Sequence, residues 1–142
     1  MLNEEVRNIM SKDPVVVGPT DTIESVSNTM VQKRLQQLPV VENGILLGLI
    51  TSYDLWKNSS KPDGKEQRNL VKDVMTTRIL TIEPKAKVGT AAELFMDKRF
   101  KTLPVVNLRN ELKGVITAFD VIKFVLKREY PTPILYKEVL NG

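Results

Sequence analysis

Two short stretches of the sequence carry a threonine and an aspartate three residues apart. They read "GLITSYDL" at 48–55 and "GVITAFDV" at 114–121, and the pairs are Thr51 with Asp54 and Thr117 with Asp120. Where such a pair opens a helix, the threonine hydroxyl and the helix N-terminus can bind a phosphate group. A carboxylate only accepts hydrogen bonds, so the aspartate suits the paired hydroxyls of a ribose. The spacing could therefore orient a nucleotide at two places along the chain.

The same spacing also has a purely structural interpretation. A threonine at the N-cap and an acid three residues later form a capping box, which satisfies free amides of the first helical turn. Gly48 and Gly114 stand just upstream within strand patterns. Glycine there costs stability and often marks a bulge or a close approach by another backbone or a ligand. The repetition indicates that the unit is reused without indicating why, so both interpretations stay open at this point.

The composition excludes several kinds of chemistry. The 142 residues include neither cysteine nor histidine, which removes thiolate nucleophiles, zinc–thiolate sites and histidine-dependent catalysis. The sequence also has no Walker-type phosphate loop and no acidic cluster suited to a metal. A Lys, Asp or Glu mechanism is not excluded by composition, but nothing points to one. We therefore predict no catalytic residue, no metal site and no enzymatic activity.

Charge and hydropathy bear on partners and location. The net charge of +4 is spread along the chain, without a basic stretch interleaved with aromatic residues, so no nucleic-acid partner is expected. No apolar run approaches the roughly 20 residues that cross a bilayer. The N-terminal "MLNEEVRNIM" lacks the apolar region of a secretory signal. We expect a cytoplasmic protein without membrane insertion.

The chain contains an internal duplication with a period of about 65 residues. Met10 and Met75 are 65 residues apart, as are Pro39 and Pro104, whereas the two aspartates described above are 66 apart. Polar residues with proline, glycine and serine separate the units, as in an exposed connection. The predicted organisation is repeat 1 with the N-terminal segment at 1–56, a polar linker at 57–69, repeat 2 at 70–127 and a C-terminal tail at 128–142.

Both units show the same order of predicted elements, which is strand, helix, strand, strand, helix. Short β-branched runs predict the first strands, apolar residues at helical spacing predict the first helices, and the two "LPVV" runs predict hairpins with the strands that follow. The predicted first strands are 15–17 and 79–82, and the predicted hairpins are 38–41 with 45–50 and 103–106 with 112–116. The predicted helical faces are Ile23, Val26, Met30 and Val31 in the first unit and Val88, Ala91, Ala92, Phe95 and Met96 in the second. Asp21 and Glu24 are predicted to cap the first helix.

One unit alone would bury little surface and would be marginally stable. We therefore predict an α+β fold of two tandem β-α-β-β-α repeats, packed sheet to sheet with pseudo-twofold symmetry. Such symmetry would create two equivalent clefts.

These motifs resemble two cystathionine-β-synthase (CBS) domains in tandem, a Bateman module. The resemblance rests on the openings "VRNIMS" at 6–11 and "VKDVMT" at 71–76, on the repeated "LPVV" and on the repeated Gly-x-Ile-Thr-x-x-Asp. It covers nearly the whole chain except the linker and the tail. It implies a non-catalytic regulatory module that senses adenosine compounds, mostly AMP, ADP or ATP, with no cofactor of its own. It also implies a homodimer that transmits occupancy to a partner enzyme or transporter.

The resemblance also assigns residues to the ligand. The two threonines described first are expected to contact phosphate, and the two aspartates are expected to contact ribose. Adenine is expected against Ser11, Val16, Gln36 and Gln37 in one set and against Thr76, Thr81, Lys101 and Thr102 in the other. A cleft in such modules can draw these groups from both repeats, so their pairing stays open.

The two clefts are predicted to differ in charge. Lys101 takes the position of Gln36, and Arg78 stands where Asp13 stands in the first unit. Charge-assisted hydrogen bonds to phosphate are the strong ones. We therefore predict that the cleft including Lys101 and Arg78 is the better site for di- or triphosphates.

Some alternatives stay open. The chain could be a structural or dimerisation module with vestigial clefts, or a binder of S-adenosylmethionine or NAD. Tyr53 and Phe119, which precede the two aspartates, are predicted to pack in the core rather than to stack on a base. The tail at 128–142 either packs against the module or covers a dimer face.

Overall fold

The computed structural model describes residues 1–62, 66–97 and 100–130. Its helices are α1 (Ile23–Lys33), α2 (Ser52–Ser59), α3 (Val88–Phe95) and α4 (Ala118–Glu129), and its strands are β1 (Gln37–Glu42), β2 (Ile45–Thr51), β3 (Thr102–Val106) and β4 (Leu112–Thr117). One turn of 3-10 helix opens each repeat, at Val6–Asn8 and Val71–Asp73, and we call these the opening turns. The predicted α+β fold of two tandem repeats is confirmed. None of the helices in these ranges has the length and hydropathy needed to cross a membrane.

The first helix begins at a different cap from the one predicted. The Thr22 hydroxyl caps α1 by accepting a hydrogen bond from the Ser25 amide at 3.1 Å. The predicted cap by Asp21 was wrong because Asp21 lies one residue before the N-cap. Its carboxylate accepts instead from the Gly18 amide at 2.8 Å. Glu24 lies in the first turn of α1, where an acid stabilises the helix dipole.

The apolar faces of α1 and α3 are narrower than predicted. Val26 and Met30 are buried under α1, but Val31 is 78% exposed because it lies one residue beyond that stripe. Met96 is 83% exposed because α3 ends at Phe95 and no longer turns the next residue toward the core. The other predicted members of both faces pack in or against the two hydrophobic cores.

Each sheet is an antiparallel hairpin extended by a single residue of a third strand. β1 pairs with β2, and β3 pairs with β4. The predicted first strands contribute only Val17, which forms a parallel bridge to Val40, and Ile82, which forms one to Val105. The predicted residues before these bridges, 15–16 and 79–81, do not pair within the described part of the chain, and a proline two residues after each bridge has no amide with which to continue the ladder. The first strands are therefore shorter than the sequence predicted.

The two hairpins meet at their tips. The Leu46 amide donates to the Asn110 carbonyl at 3.0 Å, and the Leu112 amide donates to the Gly44 carbonyl at 2.9 Å. The Asn110 side chain also donates to the Leu46 carbonyl at 2.8 Å. Asn43 and Gly44 form the first tip with φ of 52° and 82°, the left-handed values that an Asn-Gly hairpin turn requires. These bonds join the two sheets.

Each opening turn is buried in the core of the other repeat. Val6 is fully buried among residues of repeat 2, and Val71 is fully buried among residues of repeat 1. Backbone hydrogen bonds fix both crossings, since the Val6 amide donates to the Ala86 carbonyl at 2.8 Å and the Val71 amide to the Asp21 carbonyl at 3.0 Å. Neither core is complete without a segment of the other repeat.

After each opening turn, at Ser11 and at Thr76, the chain crosses to the hairpin of the other repeat, and we call these stretches the crossing segments. A glycine in each hairpin leaves room for them. The crossing pairs are Ser11 with Val115 and Thr76 with Leu49, each joined by two backbone hydrogen bonds of 2.8 to 3.0 Å. A Cβ at Gly48 would lie 2.5 Å from the Thr76 carbonyl oxygen, and one at Gly114 would lie 2.5 Å from the Ser11 carbonyl oxygen. The strand registers also shift beside both glycines. The glycines therefore mark a bulge and a close approach by another backbone.

A buried asparagine fastens the linker to α2. Asn58 donates to the Arg68 carbonyl and accepts from the Arg68 amide, both at 2.9 Å. The Gln67 side chain donates to the carbonyls of Ser59 and Lys61. α2 itself continues to Ser59, into the predicted linker. These hydrogen bonds therefore join the end of the linker to its beginning and to α2.

We predict that Gly48→Ala and Gly114→Ala each lower the free energy of unfolding by about 1–3 kcal/mol, the usual effect of forcing a methyl group into a packed site. The methyl would push the crossing backbone away from the hairpin. Gly18→Ala is the control, because a Cβ there would meet nothing closer than 3.7 Å. Urea unfolding of the four proteins tests this prediction. Stability equal to that of the parent in both strand variants would contradict the close approach.

Candidate functional site

Capping boxes open α2 and α4. The Thr51 hydroxyl accepts from the Asp54 amide at 3.0 Å, while the Asp54 carboxylate accepts from the Thr51 amide at 3.0 Å. Thr117 and Asp120 repeat this arrangement at 3.2 and 2.9 Å. The capping interpretation is therefore confirmed in both repeats. Because each hydroxyl uses a lone pair for the cap, its proton remains available to a ligand.

The crossing at Gly48 brings a residue of repeat 2 to the first capping box. The Thr76 hydroxyl donates to the Asp54 carboxylate, at 3.1 Å from one oxygen and 3.2 Å from the other. An ionised carboxylate has about four acceptor sites. Asp54 therefore keeps acceptor capacity after it has bonded Thr51 and Thr76. The pairing that the sequence left open joins Thr51 and Asp54 of repeat 1 to Thr76 of repeat 2.

A cavity of about 160 Å³ lies beside this junction, and we call it the first cleft. Its polar lining is Gln37, Thr51, Thr76, Arg78 and Thr102, and its apolar lining is Leu49, Ile79, Leu80 and Phe100. All five polar residues belong to the set predicted from the sequence. The four apolar residues were missed, because an apolar residue has the same sequence signal in a cleft as in a core. The first cleft is thus built from both repeats.

Arg78 gives the first cleft a positive charge. The residue is exposed while it lines the cleft. No ion pair of Arg78 is found within residues 1–62, 66–97 and 100–130. Because a guanidinium presents a planar fork of donors, it can bind a phosphate through two hydrogen bonds at once.

Gln37 brings an unsatisfied acceptor to the first cleft. Its Oε1 atom is buried and has no hydrogen-bond partner in the part of the chain that the structure describes. Leaving a buried polar atom unpaired destabilises a protein by about 1–3 kcal/mol.

A second cavity, of about 270 Å³, adjoins the first at Thr76. Its charged lining is Asp54, Asp73, Lys57, Lys61 and Arg68. The three cations create a positive potential around Asp54, which favours an anionic ligand. Among the described residues, no group of three or more acidic side chains could hold a metal ion. Together the two cavities reach the size typical of small-molecule sites, about 300–1,000 Å³.

The second capping box lies next to the other crossing. Ser11 pairs with Val115, the place that Thr76 takes beside Leu49 in the first half. No hydrogen bond joins Ser11 to Asp120 among the described residues, whereas Thr76 bonds the aspartate of the first box. The two capping boxes have the same internal hydrogen bonds. They differ in the residue of the crossing segment beside them, since Thr76 bonds Asp54 and Ser11, within the described ranges, does not bond Asp120.

The other predicted site residues do not line the first cleft. They are Asp54, which lines the adjoining second cavity, and Ser11, Val16, Gln36, Thr81, Lys101, Thr117 and Asp120. Gln36 contributes its backbone carbonyl, which accepts from the Ser52 amide at 2.8 Å and helps to open α2. The sequence predicted Lys101 and Arg78 in one cleft, but the structure brings Arg78 together with Thr51 and leaves Lys101 exposed outside that lining.

The prediction that Tyr53 and Phe119 pack in the core was wrong. They are 62% and 68% exposed, because the capping boxes turn the following aspartates inward and the preceding residues outward. Tyr53 contacts Trp56, with ring centroids 5.9 Å apart. Phe119 begins an exposed apolar face on α4, which we call the α4 stripe and which consists of Phe119, Ile122, Leu126 and Tyr130.

The fold and the cleft together define a class, that of internally duplicated α+β proteins whose repeats share their clefts. The family model for the CBS domain matches residues 6–55 and 71–127. This chain belongs to the CBS domain family and carries two CBS domains in tandem. The resemblance stated from the sequence is confirmed.

Relatives of this chain include proteins of several kinds. The uncharacterized protein MJ1225 of Methanocaldococcus jannaschii is 30% identical over 132 residues, which cover 86% of this chain and 47% of that protein. The inosine-5'-monophosphate dehydrogenase of the same organism is 34% identical over 124 residues, which cover 87% of this chain and 23% of that enzyme. The chain therefore spans less than half the length of these two curated relatives. CBSX2, a CBS-pair protein from Arabidopsis thaliana solved in complex with AMP, matches with a TM-score of 0.80 and 26% identity, over 88% of this chain and 98% of that one.

We predict that Gln37→Leu raises the free energy of unfolding of the ligand-free protein by about 1 kcal/mol, because it removes a buried carbonyl that has no partner. Gln67→Leu is the matched control and should lower it, because the Gln67 side chain bonds two backbone carbonyls. Urea unfolding of both variants tests the difference in sign. If both substitutions destabilise the protein equally, Gln37 is already satisfied in the ligand-free state.

Proposed function

We propose that this chain is a non-catalytic regulatory module that binds an adenine nucleotide (AMP, ADP or ATP) between its two CBS repeats and transmits occupancy to a partner. The observation that carries this proposal is the junction of Thr51, Asp54 and Thr76 beside Arg78 in the first cleft. The nucleotide acts as a regulatory ligand and not as the cofactor of a reaction.

Each part of a nucleotide has a matching group in the first cleft or, for Asp54, in the second cavity that adjoins it at Thr76. The free hydroxyl proton of Thr51 and the guanidinium of Arg78 suit the phosphate. The remaining acceptor capacity of Asp54 suits the ribose hydroxyls. The apolar lining suits the face of the base, and the unpaired oxygen of Gln37 suits its exocyclic amino group. Apolar walls with a few placed polar groups are typical of small-molecule sites.

Charge distinguishes the two proposed sites. Asp13 takes the position in the first unit that Arg78 takes in the second, and a carboxylate repels phosphate. We therefore propose the first cleft as the better site for di- and triphosphates, with Lys57, Lys61 and Arg68 adding positive potential. Ser11, Thr117 and Asp120 form the weaker, second site in this proposal.

The comparisons support the ligand class and leave two alternatives for the experiment to separate. CBSX2, which shares 26% identity with this chain, binds AMP in its crystal structure. The inosine-5'-monophosphate dehydrogenase relative carries its matching segment as 23% of a longer chain, which favours an enzyme as the regulated partner. The alternatives are a structural module with vestigial clefts and a binder of S-adenosylmethionine or NAD.

We propose the cytoplasm as the compartment, because the proposed nucleotides are abundant there.

We predict that one of AMP, ADP or ATP raises the melting temperature more than S-adenosylmethionine or NAD does. A ligand at 100 times its dissociation constant should stabilise the fold by about 2.7 kcal/mol. Differential scanning fluorimetry across the five compounds measures this, and the product of an incubation with ATP is assayed in parallel. The absence of a shift with every compound favours the structural alternative, whereas ATP consumption would contradict a non-catalytic role.

We predict that Asp54→Asn weakens ATP binding about tenfold or more, and that Asp120→Asn weakens it less. Asparagine keeps a carbonyl oxygen for the capping box but loses the charge and half of the acceptor capacity that the ribose uses. Arg78→Gln should weaken ATP binding more than adenosine binding, because it removes only the phosphate contact. Isothermal titration calorimetry measures all three, and equal losses in the two aspartate variants would contradict the asymmetry.

We further propose a homodimer formed through the last helix of each repeat. The α4 stripe exposes apolar residues at helical spacing, and Tyr53 and Trp56 on α2 occupy the positions equivalent to Phe119 and Ile122. Aromatic residues are enriched in interfaces, and an isologous dimer buries the same face on both subunits. The predicted tail at 128–142, for which packing or cover of a dimer face was expected, lies outside the described residues after Tyr130.

We predict that Ile122→Glu shifts the protein from dimer to monomer at micromolar concentration, because it places a charge at the centre of an apolar face. Val31→Glu is the matched control, since Val31 is equally apolar and 78% exposed but lies on α1. Sedimentation velocity over a tenfold concentration range separates the outcomes. A parent that stays monomeric, or an Ile122 variant that stays dimeric, would exclude this interface.

A further inference from the structure

A basic groove lies outside the capping boxes and outside the first cleft. It is an open cavity of about 490 Å³, and its lining is Arg7, Asn8, Met10, Lys12, Pro84, Asn107 and Lys113. We call this cavity the basic groove. Arg7, Lys12 and Lys113 are exposed, and its lining among the described residues contains no acidic side chain. We propose that the basic groove binds a small soluble phosphate compound that carries at least two negative charges.

The crossing at Gly114 places two of the three cations. Ser11 pairs with Val115, which lays the extended segment beside β4, near Lys113. Alternate side chains of an extended segment project to opposite sides. Met10 and Lys12 accordingly line the groove, whereas Ser11 between them does not. The same backbone pairing that completes the fold thus holds Lys12 and Lys113 at one cavity.

Arg7 supplies a third cation from the first opening turn. Its amide donates to the Pro84 carbonyl at 2.9 Å, which fixes its backbone over the other repeat. Its guanidinium donates to Glu5 at 3.1 Å. A guanidinium has five donors, so Arg7 can keep this ion pair and still bind a phosphate oxygen.

Two acids beside the cations limit the ligand to a compact one. Glu5 lies against Arg7, and Glu111 lies near Lys113. The hydrogen bond from Asn107 and then the charge of Lys113 lower the pKa of Glu111, so this carboxylate stays ionised at neutral pH. A long polyanion would extend beyond the groove toward Glu5 and Glu111, and their negative charges would repel it. A phosphate compound confined to the groove meets the three cations and avoids that repulsion.

The duplication provides an internal comparison for the basic groove. The duplication relates the positions of Arg7, Asn8, Lys12, Asn107 and Lys113 to those of Lys72, Asp73, Thr77, Glu42 and Leu47. Three cations in the groove set correspond to one cation and two acids in the equivalent set, so the formal charge changes from +3 to −1. Since both halves fold alike, the fold itself does not require the cations. Their presence in only one of the two equivalent sets therefore points to a ligand.

Inorganic pyrophosphate is the probe, and amide chemical shifts of the ¹⁵N-labelled full chain are the measurement. We expect saturable shifts at residues 7, 12 and 113, with half-saturation below about 1 mM at physiological salt, since charge-assisted hydrogen bonds to phosphate are the strong ones. Lys12→Thr with Lys113→Leu imports the residues found at the two equivalent positions, Thr77 and Leu47, which the fold already accommodates. This double variant should bind pyrophosphate at least tenfold more weakly.

Lys33→Thr with Lys72→Leu is the control, because it removes the same net charge and includes the position equivalent to Arg7. The control should bind pyrophosphate within twofold of the parent. The proposal is overturned by shifts that rise linearly without saturation, by equal weakening in both double variants, or by saturable shifts confined to residues 76–78 in the first cleft. Equal affinity for a peptide of three glutamates would overturn the phosphate class of the ligand.

Discussion

The backbone pairing of each crossing segment with the opposite hairpin is the interaction on which the rest of this structure depends. The pairing exists only because Gly48 and Gly114 have no Cβ, since a methyl group there would lie 2.5 Å from a carbonyl oxygen. It carries Val6 and Val71 into the opposite cores, where both are fully buried. A unit of about 50 residues buries too little surface to be stable by itself. Exchange of the opening turns makes the two units one cooperative fold.

The same pairing also makes the candidate site. Thr76 reaches Asp54 across 22 positions of sequence because Thr76 is paired with the strand that ends at Thr51. A ligand held by this junction contacts both repeats at once, so its binding energy depends on how the repeats are arranged. A module of this kind can transmit occupancy without a separate moving domain, since any ligand that prefers one arrangement shifts the population toward it.

Local features of the fold could be predicted from the sequence, whereas the exchange between repeats could not. The capping boxes and the Asn43–Gly44 turn are decided by residues within one helical or hairpin turn. The sequence around Val6 and Val71 predicts that both side chains are buried. No neighbouring residue specifies in which of the two cores each one packs. For the same reason, the five polar residues of the first cleft were found, but their grouping and the apolar wall were not. An apolar residue such as Ile79 has the same sequence signal in a cleft as in a core.

Positions that are identical in the two repeats and positions that differ between them give different information about function. The glycine, threonine and aspartate of the repeated phrase are the same in both halves, and each is needed by the fold, as an opening for the crossing or as a helix cap. Identity at these positions therefore cannot distinguish a binding site from a cap. Arg78 against Asp13, and Lys113 against Leu47, lie where the fold accepts either residue. Differences of charge at such positions are not required by the fold, and the proposed sites rest on them.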